Sequence, residues 1–168
     1  MIFVTVGTHE QSFERLVKYV DDLKGNGVIT DDVVIQTGFT DYEPQNCEWK
    51  KLFSYQQMKK YVEMADLVIT HGGPSSFIMP LQVGKVPIVV PRQKKYDEHV
   101  NDHQLDFALE VASRQKNIIV VKEVSELQSV IQNYKALVSE LKGDMASNNE
   151  LFNAELEKLV EEMMVPSK

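Results

Sequence analysis

The sequence predicts an α/β fold: a Rossmann-like parallel sheet of about six strands, order 3-2-1-4-5-6, with helices covering both faces. Three observations carry this. Short apolar runs alternate with segments whose apolar residues recur at helical spacing, which implies right-handed crossovers between parallel strands. The runs are continuously apolar rather than alternating, as in strands buried on both faces. Two small-residue turns, Gly7-Thr8-His9 and His71-Gly72-Gly73, follow strands directly. The predicted order makes the first and fourth strands neighbours, so both turns meet at the switch point where such sheets bind ligands.

Ile2 to Val6 is the first strand. Phe13, Leu16, Val17, Val20 and Leu23 mark a helix ended by Gly25 and Gly27, and Val33 to Gln36 is the second strand. Thr37 to Cys47 is a loop by composition, and Trp49 to Phe53 a shorter third strand. Ser54 with Gln57 reads as a capping box opening a helix with Met58, Val62 and Ala65 inside. Leu67 to Thr70 is the fourth strand. The helix after the glycine turn contains Pro80, which implies a kink or a later start, and Gly84 suits its left-handed cap. Pro87 to Val90 is the fifth strand, followed by a basic loop, Pro91-Arg92-Gln93-Lys94-Lys95. Val100, Gln104, Phe107, Ala108 and Val111 mark the next helix, and Ile118 to Val121 the sixth strand. Ser125 with Gln128 reads as another capping box. It opens a single helix from Leu127 to Leu141, closed by Gly143. Ser147 with Glu150 opens a last amphipathic helix with an apolar stripe from Leu151 to Met163. The organisation is therefore one Rossmann-like domain, 1–145, and a C-terminal amphipathic helix, 146–168, that packs on the domain or on a partner.

A chain of 168 residues with 43% apolar content can bury a core without staples. A net charge of −7 argues against nucleic acid, which demands a basic face. The single cysteine, Cys47, has neither a disulfide partner nor metal-ligand spacing, which fits a reducing compartment. The apolar start is only a strand long and lacks a basic leader. No run approaches the roughly 18 residues of a membrane helix. The expectation is a cytoplasmic protein reaching a membrane only through another molecule.

The stretch His71-Gly72-Gly73-Pro74-Ser75-Ser76 joins a strand to a helix N-terminus. Unpaired backbone N–H groups, a positive dipole end and small side chains suit a phosphate, and we read this turn as holding the pyrophosphate of a nucleotide-sugar. The competing reading is a plain tight turn. A G-x-G-x-x-G fingerprint is absent after the first strand, where Gly7 stands alone, and no Walker pattern is present.

The runs FVTVGTHEQSFERLV (Phe3 to Val17) and HGGPSSFIMPLQVGKVPIVVPRQKKYDEHVNDHQLDFA (His71 to Ala108) resemble the donor-binding, C-terminal-type domain of GT-B glycosyltransferases of family 28. The resemblance covers roughly residues 1 to 140. It extends to the soluble catalytic subunits of two bipartite types of enzyme. One is the dolichol-pathway UDP-N-acetylglucosamine transferase. The other comprises bacterial capsule and exopolysaccharide β-1,4-galactosyltransferases, which PRQKKYDEHVNDHQ and YEPQNCEWKKLFSY look particularly like.

The resemblance implies half of a GT-B fold and a UDP-sugar-dependent inverting hexosyltransferase subunit, with galactose the first choice of sugar and N-acetylglucosamine the second. It places His71, Gly72, Gly73, Ser75 and Ser76 at the donor, the Ser54-Tyr55 backbone at the uracil, and His103 and Gln104 at the sugar; Gly7 and Thr8 join the donor site through the strand order. Ser75 stands where relatives often have glycine. Met79 stands where many have a ribose-binding glutamate. The UDP-sugar is a substrate, so no cofactor is expected, and without a DxD motif no metal is expected either. Arg92, Lys94 or Lys95 would add positive charge at the diphosphate or at a lipid phosphate; the alternative is a solvated basic loop.

His9 and Glu10 are the candidates for the base that inversion requires, His9 being alternatively a turn residue. His71 is expected to fix the glycine turn, and Cys47 and Trp49 to pack. One domain gives one wall of a cleft, so the resemblance implies a membrane-anchored subunit that binds a lipid-linked saccharide acceptor. Self-association is left open. The competing classes are a non-catalytic nucleotide-binding or enhancer module and, more weakly, a sugar-nucleotide epimerase.

Overall fold

The computed structural model describes residues 1–141 and Lys158. Its sheet has six parallel strands in the order β3-β2-β1-β4-β5-β6. These are β1 (Ile2–Thr5), β2 (Val33–Gln36), β3 (Glu48–Lys50), β4 (Leu67–Thr70), β5 (Ile88–Val89) and β6 (Ile119–Val120). In the central pair, Ile2 lies beside Leu67 and Thr5 beside Thr70. Side chains alternate across the sheet as the two-residue period requires. Ile2, Val4, Ile35, Ile69 and Ile88 pack with α1 (Glu14–Gly25) and α5 (Leu127–Gln132) on one face. Phe3, Val34 and Val68 meet α2 (Tyr55–Met64) on the other. Val89 joins α3 (Pro74–Gln82) and α4 (His103–Gln115) on that second face. Helices on opposite faces wind the chain outward in opposite directions from the β1–β4 pair, which opens a crevice at their carboxyl ends.

The Ser54 capping box forms: its hydroxyl accepts from Gln57 N–H and the Gln57 side chain accepts from Ser54 N–H. The helix after the glycine turn starts at Pro74, not later, with Gly73 as N-cap and a proline in the first turn, where no N–H is missed. Pro80 is accommodated near its end. Lys85 N–H then bonds Pro80 O at 2.9 Å and Gly84 N–H bonds Leu81 O at 3.0 Å, with Gly84 at φ +73°. This is a Schellman closure, and it needs the glycine.

Four expectations are corrected. β3 lies at 48–50 rather than 49–53, because Phe53 N–H is captured by the Gln36 side chain at 2.9 Å and the chain turns toward α2. The α4 helix begins at His103, leaving Val100 68% exposed in the preceding loop. The Ser125 box does not form; a 3-10 turn, Val124–Glu126, leads into α5 without a side-chain cap. The single helix 127–141 is two, α5 and α6 (Tyr134–Glu140), broken at Asn133. There the Asn133 amide donates to Ser129 O at 2.8 Å, beside its own backbone N–H at 3.0 Å, and such local competition interrupts helices. The expected closure at Gly143 and the amphipathic helix 146–168 lie outside the described residues.

Candidate functional site

A crevice of about 620 Å³ opens at the carboxyl ends of β1, β2 and β4. Gly7, Thr8 and His9 from the loop after β1 line it, with His71, Ser75 and Ser76 from the β4–α3 turn and Gln104 from α4. The opposite side is Phe53, Tyr55 and Met58, with Ile78, Met79 and Gln82 along α3. Gln36 forms the floor between them. Its amide donates to Thr5 Oγ1 at 3.1 Å and accepts from Phe53 N–H, so it ties β1, β2 and the start of the apolar wall together.

His71 organises the polar side. Gly73 N–H donates to its Nδ1 at 3.0 Å, so Nδ1 is the acceptor and the ring proton sits on Nε2. That proton is donated to Ser76 Oγ at 2.9 Å, which leaves the Ser76 hydroxyl hydrogen available to another acceptor. Burial, then the nearby Arg92 charge, push the His71 pKa down to about 3, against the opposing contact with Gln104. Gln104 Oε1 accepts from Gly72 N–H at 3.1 Å and Arg92 N–H at 3.2 Å. This fixes the amide orientation, and its Nε2 has no acceptor among the described residues.

The glycines make room for neighbouring side chains. A Cβ on Gly73 would sit 2.1 Å from His71 Cε1, and one on Gly7 2.3 Å from His71 Nε2. One on Gly72 would meet Gln104 Cβ at 2.8 Å. The space left by the missing side chains is filled by the imidazole and by Gln104. The free amides are also fewer than the sequence suggests, since Gly72 and Gly73 N–H are engaged and Pro74 has none. Ser76 N–H bonds Gly73 O at 3.0 Å. Among the described residues, Ser75 N–H at the turn and Thr8 and His9 N–H in the facing loop have no protein acceptor.

The crevice thus brings together Gly7, Thr8, His9, Tyr55, His71, Ser75, Ser76 and Gln104 of the expected residues. Gly72 and Gly73 lie behind the surface as packing partners. Ser54 caps α2 beside the crevice. Glu10 and His103 are exposed and off its wall. Arg92 is a correction: it is not a solvated loop cation in reach of a ligand but wholly buried behind the β1 loop. Its guanidinium donates to Val6 O, Gln11 O and Glu98 O at 2.8, 2.7 and 3.2 Å. Lys95 is paired with Glu123 instead.

His9 is placed at the mouth, its ring 4.5 Å from that of His99. Its Nδ1 accepts Gln11 N–H at 3.1 Å, so the neutral ring presents an N–H donor, and a base role requires that bond to open. Burial and Arg92 lower its pKa, against Glu10. Sequence reasoning missed Gln36, Phe53, Met58, Ile78 and Gln82 as crevice residues. Gln36, polar in an otherwise apolar strand, was the available signal.

An open parallel sheet with polar loops converging on its switch point defines a Rossmann-like ligand-binding domain. Residues 1–115 match the glycosyltransferase family 28 C-terminal domain, and the chain belongs to that family. It is 34% identical over 119 residues to the UDP-N-acetylglucosamine transferase subunit ALG13 of Homo sapiens, covering 64% of this chain and 10% of that protein. The Candida albicans protein of the same name is 33% identical over 82 residues, covering 48% of this chain and 26% of that protein. The chain therefore matches only a minor part of these curated relatives. Among solved structures, CalG4, the calicheamicin glycosyltransferase, superposes with a TM-score of 0.57 at 14% identity, covering 99% of this chain and 43% of that one. The fold is that of one Rossmann-like half of a GT-B glycosyltransferase.

Two measurements check the His71 arrangement. Gly73→Ala is expected to lose about 3 kcal/mol of stability by urea unfolding, through overpacking alone, since Gly73 has an ordinary φ of −71°. In a His71→Ala background the same change is expected to cost under about 1 kcal/mol, a coupling that identifies the ring as the obstacle. The second concerns pH. The folded His71 pKa lies below its unfolded value of about 6.5, so between pH 6.5 and about 3 the unfolded chain holds the extra proton. Stability from this group is full above pH 6.5 and falls on acidification. His71→Gln should flatten that part of the stability–pH curve.

Proposed function

We propose that this chain is the donor-binding subunit of a metal-independent, inverting UDP-sugar hexosyltransferase acting on a lipid-linked saccharide. The observation that supports it best is the division of one crevice into two chemistries. Free Ser75, Thr8 and His9 amides and the Thr8, Ser75 and Ser76 hydroxyls offer donors for a diphosphate. Phe53, Tyr55 and Met58 offer an apolar surface for a uracil. The free Gln104 amide offers a donor for the hexose. Met79 makes the adjoining wall apolar, and Gln82, one turn further along α3, is the polar side chain there for a ribose.

In this reading an acceptor hydroxyl attacks the anomeric carbon, its proton passes to a base, and the C–O bond to UDP breaks with inversion. The developing diphosphate charge meets donors already in place, which is the term that lowers such barriers most. His9, its Nδ1 occupied, acts as a donor in this geometry. With Glu10 off the crevice wall, the base is then a group on the facing subunit. That subunit supplies the acceptor wall and membrane anchor; no described helix is long and apolar enough to cross a membrane. The relatives are named as transferase subunits, which supports a divided enzyme.

UDP-galactose is our first donor, on the resemblance of the segments around Tyr96 and Trp49 to capsule and exopolysaccharide galactosyltransferases. UDP-N-acetylglucosamine is the second, favoured by the relatives' name. The test is transfer to a prenyl-diphosphate sugar with the membrane partner present, comparing both donors. Transfer is expected to survive excess chelator, and a loss restored by magnesium or manganese contradicts the mechanism. Ser75 is exposed and its hydroxyl holds no protein contact, so Ser75→Ala is expected to lower kcat ten- to a hundredfold with little effect on stability.

A further inference from the structure

We propose that Arg92, buried and off the crevice wall, supplies the positive field that holds the donor diphosphate, acting through the loop after β1. The inference rests on the diphosphate reading of that crevice. Among the described residues, no lysine, arginine, aspartate or glutamate lines the cavity. A diphosphate would therefore enter a site with neutral donors only. Directly behind the Gly7–Ser12 loop lies a guanidinium with no exposed surface.

Its surroundings are unusual for a buried cation, which is ordinarily paired with an acid. Its NH1 and NH2 donate only to carbonyl oxygens, of Val6, Gln11 and Glu98, with Ser12 O at a longer 3.4 Å. Its Nε has no partner at all. The nearest acid, Glu98, is committed elsewhere. Its two oxygens take Arg15 Nε at 2.7 Å and Arg15 NH2 at 3.0 Å, and one also accepts Gln93 N–H. Two guanidinium groups and one carboxylate leave this cluster with one net positive charge. The Phe13 ring lies between the two cations, 4.9 Å from Arg92 and 5.4 Å from Arg15. It adds attraction but no negative charge.

His71 and His9 are both on the crevice wall, and their proton affinities are lowered by burial first and then by the Arg92 charge. Burial keeps water and salt from screening it, so it acts over a distance at which a surface lysine would be weak. Burial lowers the Arg92 pKa to about 10 against the opposing charge of Glu98, and it stays protonated at neutral pH. A clamp for the β1 loop explains the carbonyl contacts. It does not explain a charge, since a neutral amide donates to carbonyls without the desolvation cost.

The test compares affinities of the full 168-residue chain for UDP and for uridine, which differ in charge but share base and ribose. Arg92→Gln is expected to weaken UDP roughly tenfold relative to uridine, and Glu98→Gln, which removes the compensating acid, to strengthen it. Arg92→Lys, keeping the charge but losing the fork, should retain most of the wild-type ratio. A purely structural role predicts that all three variants lower both affinities together. That result, or an unchanged UDP-to-uridine ratio in Arg92→Gln and Glu98→Gln, overturns the inference while leaving the donor site intact. A wild-type chain that binds uridine and UDP equally, or neither, overturns the diphosphate reading as well.

Discussion

The site depends on a neutral imidazole held where glycines leave room for it. His71 closes the space between Gly7, at the end of β1, and Gly73, at the start of α3. In doing so it fixes the distance between the two loops that form the polar side of the crevice. Its two nitrogens have opposite duties: one accepts from Gly73, the other donates to Ser76. A charged ring cannot make both bonds, because it has no acceptor. Burial that keeps the ring neutral is therefore also what aims the Ser76 hydroxyl at the cavity.

Around that pivot the crevice divides by chemistry. One side offers amides and hydroxyls, the other aromatic and methionine side chains, and the described lining carries no formal charge. Charge lies one layer back, in the Arg92–Glu98–Arg15 cluster that also braces the loop after β1. This separates two tasks that one surface arginine would combine. In the function proposed for this crevice, neutral donors fix where the diphosphate oxygens sit, and the buried cluster sets the potential they experience.

Much of this was legible beforehand. Strand order followed from apolar runs and crossover handedness, and the Ser54 box and Gly84 cap were readable because each is specified within four or five residues. The convergence of Gly7 and His71 on one crevice followed from strand order alone. Less local features were missed. Nothing in the spacing of Leu127 to Leu141 announces that Asn133 turns on its own helix. Arg92 sits in a run of polar residues that reads as solvated, and its burial depends on Val6, Gln11 and Phe13 arriving from the other end of the chain. That the glycines also make room for the His71 ring and for Gln104 was not legible for the same reason, because a local motif shows that room exists but not what fills it.

The crevice at the carboxyl ends of β1, β2 and β4 is where a UDP-sugar is proposed to bind. Amide chemical-shift mapping of the full chain with UDP tests it most directly. The largest changes are expected at Thr8, His9, Ser75 and Ser76, with further shifts at Phe53 and Tyr55. Changes confined to the opposite rim of the sheet, around Val28 to Asp32 or Lys85 to Val86, or no changes at saturating UDP, would contradict it.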